Sequence, residues 1–287
     1  MSALGEKVTK INLLANFSLF ILKIYFGILL LSLAIMADAL NSFSDIFASL
    51  AILYTFKIGR KEPDANHPFG HARAEPIGAL IVAIFIGIVG FEVVRFGVFD
   101  ILEPSSHIFS FFGIVVLLIT IVTKMLMAYY FKKIGKDLRS PAILATSEDS
   151  KNDVLSSTVA LFGFVGTAMG YNFLDGLAAV IIGFWIIRSA VKLTKENIDY
   201  LMGATPEEKM LREIEKRAYQ VEGVKEVHKV TAHYVGHIVN VEIHILLDGE
   251  LTLKESHAIA NKVQKKIEKM DDVNRAFVHV DPDMEHQ

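Results

Sequence analysis

Up to about Tyr200 the chain alternates long apolar runs with short polar joints, and from Ala204 it turns to scattered charge and period-2 alternation. The first stretch, Ile11 to about Phe56, is nearly continuous apolar sequence. As one helix it would be roughly 70 Å long against a hydrocarbon core of about 30 Å, so it must fold back. The weakest point is near Leu31–Ser32, which predicts spans of about 11–31 and 33–56. Four more apolar runs follow at about 76–99, 109–131, 142–169 and 174–194, giving six helices. Beyond them, Thr205-Pro206-Glu207-Glu208 reads as a helix start in which Thr205 caps and Glu208 completes a capping box, the helix running to about Val221. Glu226–Val235 and Ile238–Leu247 alternate as a hairpin around Gly236-His237; a second helix is expected over 253–270 and a last strand over Asn274–Val280. The order αββαβ predicts one sheet covered by two helices.

The expected architecture is thus an α-helical membrane protein: a six-helix transmembrane domain, residues 1–203, then an α+β domain of ferredoxin or metallochaperone type, residues 204–287. Composition agrees, with 52% hydrophobic residues and a mean hydropathy of +0.42. The first apolar run leads straight into a second, which is not a cleavable signal pattern. Lys7, Lys10, Lys57, Arg60, Lys61, Arg73, Lys132, Lys133, Lys136 and Arg139 fall in joints expected on one side, and the opposite joints have no Lys or Arg. The positive-inside rule then places both termini in the cytoplasm. The tail carries twelve Lys and Arg against sixteen Asp and Glu, an acidic balance that argues against nucleic acid as a partner. Cysteine is absent, excluding disulfides, thiolate metal sites and thiol catalysis.

Two pairs of polar oxygen residues interrupt the apolar runs: Asn41 with Asp45, and Asp149 with Asp153. Each pair is spaced i, i+4, so its side chains share one helix face. An Asp at the centre of a bilayer costs roughly 2.5–3.5 kcal/mol even on insertion scales, which points to a visiting cation. In the expected topology Asn41 shares the depth of Asp153 and Asp45 that of Asp149, so the four can form a box. Oxygen-only ligands suit Mn²⁺, Mg²⁺ or Ca²⁺ better than Zn²⁺, which usually takes His or Cys. The plainer alternative is that each Asp pairs with a Lys or caps a helix break. Lys23 and Lys124 are long enough to snorkel, Asp38 suits either an outer vestibule or an interfacial cap, and Glu92 and Arg95 can pair. Gly163, Gly166 and Gly170 fit close helix packing.

The joint after the second helix holds Asp64, His67 and His71, an acid and two imidazoles able to hold a metal at the cytoplasmic entrance, although loops also collect these residues for turns. Seven of the ten histidines fall in the tail. His244 alternates against the apolar Val239, Val241, Ile243 and Ile245, and His279 against Val278 and Val280, with Asp281 on the face of His279. His228, His244 and His279 can therefore present imidazoles from three strands, with His257 added from the helix; simple solvated histidines are the alternative. His286 lies in a tail with no assigned role.

Together, the six spans, the two Asx/Asp pairs, the Asn-His-Pro-Phe-Gly-His-Ala-Arg-Ala-Glu joint and the αββαβ tail resemble the cation diffusion facilitator family over about residues 8–283. The resemblance implies a secondary active transporter, not an enzyme, that exports divalent metal in exchange for protons as a homodimer in the cell membrane. It implies transport at Asn41, Asp45, Asp149 and Asp153, a joint site of Asp64, His67 and His71, and a cytoplasmic site of His228, His244, His257, His279 and Asp281. Zinc-exporting members commonly carry His in the helix pairs; the Asn/Asp and Asp/Asp pairs here resemble the manganese-type subgroup. Mn²⁺ is the expected cargo, with Zn²⁺, Fe²⁺, Co²⁺ and Cd²⁺ as alternatives, and Zn²⁺ or Mn²⁺ the expected regulatory ion. The rivals are a zinc or iron exporter of the same family and a membrane metal sensor without net transport. No nucleophile–base constellation, GxGxxG or P-loop supports an enzyme.

Overall fold

The computed structural model describes residues 3–59, 61–103, 109–137, 141–236 and 238–283. Arg60, Arg139, His237 and His286 lie outside the described residues, as does the side chain of Lys7. Six long helices come first: α1 (Ala3–Leu30), α2 (Leu33–Gly59), α3 (Ala74–Leu102), α4 (Phe111–Asp137), α5 (Pro141–Ala168) and α6 (Phe173–Met202). All but α5 are long and apolar enough to cross a membrane. The exception has a simple cause, since Glu148, Asp149, Lys151, Asn152 and Asp153 crowd its first half. Five of the helices begin or end several residues beyond the apolar runs, because polar residues at a membrane boundary extend a helix without losing its hydrogen bonds.

The chain groups into two compact units, one of Met1–Ala51 with Ile81–Thr194 and one of Ile52–Leu80 with Lys195–Gln287. In the first, Ala34, Ile35, Leu117, Ala160, Phe164 and Ile182 form a fully buried core. Helices α3 and α6 approach through glycines: a Cβ at Gly176 would meet the Gly97 carbonyl oxygen at 2.7 Å. Gly163 and Gly166 face α6 in the same way, against Ala178 and Leu174. Gly170 does not pack; it has φ +92° with open space around it and serves the turn before α6.

The fold-back between α1 and α2 falls at Leu31, whose φ of 54° is left-handed, and at Ser32. The start of α2 is then capped twice. Ser32 Oγ accepts from the Ile35 N–H (3.2 Å), and Asp175 from α6 accepts from Ser32 Oγ (2.6 Å) and from the Leu33 and Ala34 N–H groups (2.5 and 3.1 Å). One carboxylate thus satisfies donors that hydrocarbon would otherwise leave unpaired.

The C-terminal domain runs α7 (Glu208–Tyr219), β1 (Glu226–Val235), β2 (Ile238–Asp248), α8 (Leu253–Ile267), β3 (Val273–Asp283). The sheet order is β1-β2-β3, antiparallel at the hairpin and parallel across α8. Val239, Val241, Ile243, Ile245 and Leu247 bury one face of β2 with Ile214 and Ala218 of α7 and Val263 and Ile267 of α8. The expected capping box at Thr205 does not form. Helix α7 starts only at Glu208, with Glu207 at its N-cap and no side-chain cap bond, because the Ala204 carbonyl is taken by the Tyr234 N–H (3.0 Å) and holds the preceding segment extended. The box forms instead at α8, where Thr252 and Glu255 cap each other's backbone.

Candidate metal centres

Within the first unit, α2 and α5 meet through their polar pairs. Asn41 Nδ2 donates to Asp153 Oδ1 at 3.0 Å, and both residues are buried. Asp45, half-buried, also comes within hydrogen-bonding reach of Asp153, with Asp149 and Lys124 close enough to act on it electrostatically. Asp149 is exposed. The three carboxylates do not converge within the 4.8 Å that gathers the two clusters described below.

Asp153 is instead paired with Lys124. The Lys124 side chain does not snorkel: it is fully buried in α4, and its ammonium donates to Asp153 Oδ2 and to Asn16 Oδ1 on α1. Asn16 is held in turn by donating to Asn12 Oδ1 (3.2 Å). Lys23 does not snorkel either. Its ammonium reaches Asp38 Oδ2 (2.9 Å), the Asp38 carbonyl (2.8 Å) and Ser42 Oγ (2.7 Å). Ser156 and Ser157 of α5 donate to the two oxygens of Asp38, both at 2.8 Å. Asp38 is therefore neither a vestibule nor a cap but the centre of a buried ion pair joining α1, α2 and α5. Glu92 and Arg95 pair at 2.6 Å, both partly exposed.

The joint of the second unit draws together Asp64, His67 and His71. Asp64 Oδ1 accepts the backbone N–H groups of His67 (2.7 Å) and Asn66 (2.9 Å), an Asx turn that curls the loop around the carboxylate. The His67 N–H, with smaller help from Asn66 and the two imidazoles, holds the Asp64 carboxyl below the usual range. His67 Nδ1 lies 3.2 Å from Asp64 Oδ1 and His71 Nε2 3.3 Å from Oδ2, the ring centroids 4.5 Å apart.

On the open face of the C-terminal sheet, His244, His279 and Asp281 form a second cluster. The parallel register sets His244 directly opposite His279, so their rings lie 4.7 Å apart, and Asp281 follows two residues on along β3. Asp281 reaches all three strands: its oxygens lie 3.3 Å from His279 Nε2, 3.5 Å from His244 Nδ1 and 3.6 Å from His228 Nδ1. His228 joins because the pairing of β1 shifts between Val227 and Lys229, a bulge that re-aims its side chain. His257 is not brought to this cluster. It sits on α8, the helix covering the opposite face, with Nε2 3.0 Å from Asn261 Nδ2.

Lys124, Asn16 and Asp38 are the residues sequence reasoning undervalued. The signal was present, since an ionisable residue in an apolar span normally faces the bundle interior.

A family profile described as the cation efflux transmembrane domain matches residues 9–202, and one described as the cation efflux protein cytoplasmic domain matches residues 206–283. An uncharacterized transporter of Methanocaldococcus jannaschii is 33% identical over 276 residues, covering 96% of this chain and 98% of its own. The manganese efflux system protein MneP of Bacillus subtilis is 31% identical over 288 residues, covering 97% and 96%. A solved fragment of the MamM C-terminal domain is 28% identical, with a TM-score of 0.26, and covers 26% of this chain and 96% of that fragment.

Proposed function

The chain belongs to the cation efflux, or cation diffusion facilitator, family, and on that premise we propose that it exports Mn²⁺ in exchange for protons. It is a multi-pass membrane transporter of divalent metal, not an enzyme. The observation that carries the manganese reading is the chemistry of the two polar pairs on α2 and α5. Asn41, Asp45, Asp149 and Asp153 offer only oxygen ligands, which favour a hard ion over Zn²⁺. Relatives named manganese efflux system proteins support the same choice.

In this reading the ion enters the box from the cytoplasm, the bundle rocks to face outward, and incoming protons compete for the carboxylates. Both termini lie in the cytoplasm of a cell-membrane homodimer, with residues 1–203 as the transport domain and 204–287 as the regulatory one. Asp64, His67 and His71 hold metal at the entrance. The cluster of His228, His244, His279 and Asp281 is a regulatory metal site that biases the transporter by population shift.

The test is metal uptake into proteoliposomes under a pH gradient, comparing Mn²⁺ with Zn²⁺. Mn²⁺ flux that grows with the gradient is expected. Zn²⁺ flux without Mn²⁺ flux would overturn the choice of metal, flux indifferent to the gradient would overturn proton exchange, and bound metal without flux would make the protein a sensor.

A further inference from the structure

We propose that Lys124 is a tethered cation that holds the transport site when metal is absent, so that metal entry is an exchange of a protein ammonium for a divalent ion. The inference rests on the reading of Asp153 as a transport ligand and goes beyond it by assigning a role to a residue outside the four.

Three observations carry it. First, Lys124 is fully buried in an apolar span, and its ammonium ends on Asp153 Oδ2. Burying a lone ammonium in hydrocarbon is so unfavourable that its partner fixes where it sits. Second, both oxygens of Asp153 are already engaged in this arrangement, one of them by a cation. Oδ2 carries the ammonium and Oδ1 accepts from Asn41 Nδ2 at 3.0 Å. A divalent ion that takes Asp153 as a ligand meets the repulsion of the Lys124 ammonium on the same carboxylate, which displacement of Lys124 relieves, and Asn41 can join as a ligand only by turning its amide so that the carbonyl replaces the NH₂. Third, the ammonium has a second polar partner. Asn16 Oδ1 on α1 also accepts from it, and Asn12 fixes the orientation of that amide. The displaced cation therefore retains one hydrogen bond, to Asn16 on α1.

The consequence is a built-in competitor. The state in which Lys124 engages Asp153 does not bind metal, and apparent affinity is lowered by the fraction of molecules in the competent state. Without that competitor the carboxylates would hold a divalent ion more tightly and release it more slowly. The tethered ammonium counters that by waiting next to the site and refilling it as the ion leaves. It also supplies a counter-charge to Asp153 while metal is absent.

The experiment is Mn²⁺ binding to the purified full chain in detergent, followed by loss of the free-ion paramagnetic resonance signal. The transport-site component is the binding that Asp45→Ala removes. Lys124→Gln is expected to tighten this component by about tenfold or more, while Lys124→Arg, which keeps the charge, stays near wild type. A purely structural lysine predicts unchanged or weaker binding in Lys124→Gln, and that result overturns the proposal. Because Lys124→Gln also breaks a buried ion pair, the wild-type protein provides a second readout. Amine-reactive labelling with mass spectrometry should show Lys124 protected without metal and more reactive with Mn²⁺; equal protection would count against displacement. If Asp45→Ala binds Mn²⁺ as wild type does, the transport-site reading fails first and takes this proposal with it.

Discussion

Replacing Asp38 by alanine removes the acceptor at the centre of a fully buried network. Lys23, 1% exposed, would keep only the Asp38 carbonyl at 2.8 Å and Ser42 Oγ at 2.7 Å, with no counter-charge. Breaking a buried pair from one side costs about 3–5 kcal/mol, most of it the penalty of the stranded charge. The Ser156 and Ser157 hydroxyls would lose their carboxylate acceptor too, but a helical serine can turn back to the i−4 carbonyl, so they add little. Removing both charges in Lys23→Met/Asp38→Ala should restore most of the loss, because an apolar replacement of a buried pair is often neutral or better. Denaturation in detergent micelles, read from the single tryptophan Trp185 on α6, gives all four corners of the double-mutant cycle. If Asp38→Ala loses less than about 1 kcal/mol, the pair behaves like a surface ion pair and the reasoning is refuted. A double variant no more stable than Asp38→Ala would refute it as well.

Other outcomes follow from the same geometry. Thr252→Ala should destabilise the C-terminal domain by about 1 kcal/mol through loss of the α8 capping box, whereas Thr205→Ala should be near neutral because it caps nothing; thermal melts of the two variants compare them. The Asp64 carboxyl, held low first by the His67 N–H, should titrate below an ordinary Asp in a carboxyl NMR titration. Its contribution to the joint is complete above the unfolded value and is lost only as pH falls through the lowered folded value. His244→Ala with His279→Ala should abolish metal binding at the sheet cluster while the sheet itself survives, since both side chains lie on its open face; calorimetric metal titration beside circular dichroism reads both.

Much of the fold was legible because the bilayer imposes length. Apolar runs of about twenty residues have few other uses, and the break at Leu31–Ser32 follows from a run too long for one span. Strand alternation likewise separated the buried face of β2 from His244. The i, i+4 pairs on α2 and α5 were visible as spacing, and the same polar residues keep α5 from reading as a span by hydropathy. What escaped depends on contacts distant in sequence. A lysine stem fits equally well pointing to the interface or into the bundle, and only the packing of α1, α4 and α5 brings Asn16 and Asp153 to Lys124. The same holds for Asp175 capping α2 from another helix. At Thr205 the local cap signal was outweighed by a tertiary bond from Tyr234 to Ala204.

Asp45 offers the most direct test of transport through the box, because Asp153 also anchors Lys124 and its loss would combine function with stability. Mn²⁺ flux into proteoliposomes should vanish in Asp45→Ala while the variant still inserts and unfolds at the wild-type temperature. Wild-type flux in Asp45→Ala would show that the ion crosses elsewhere.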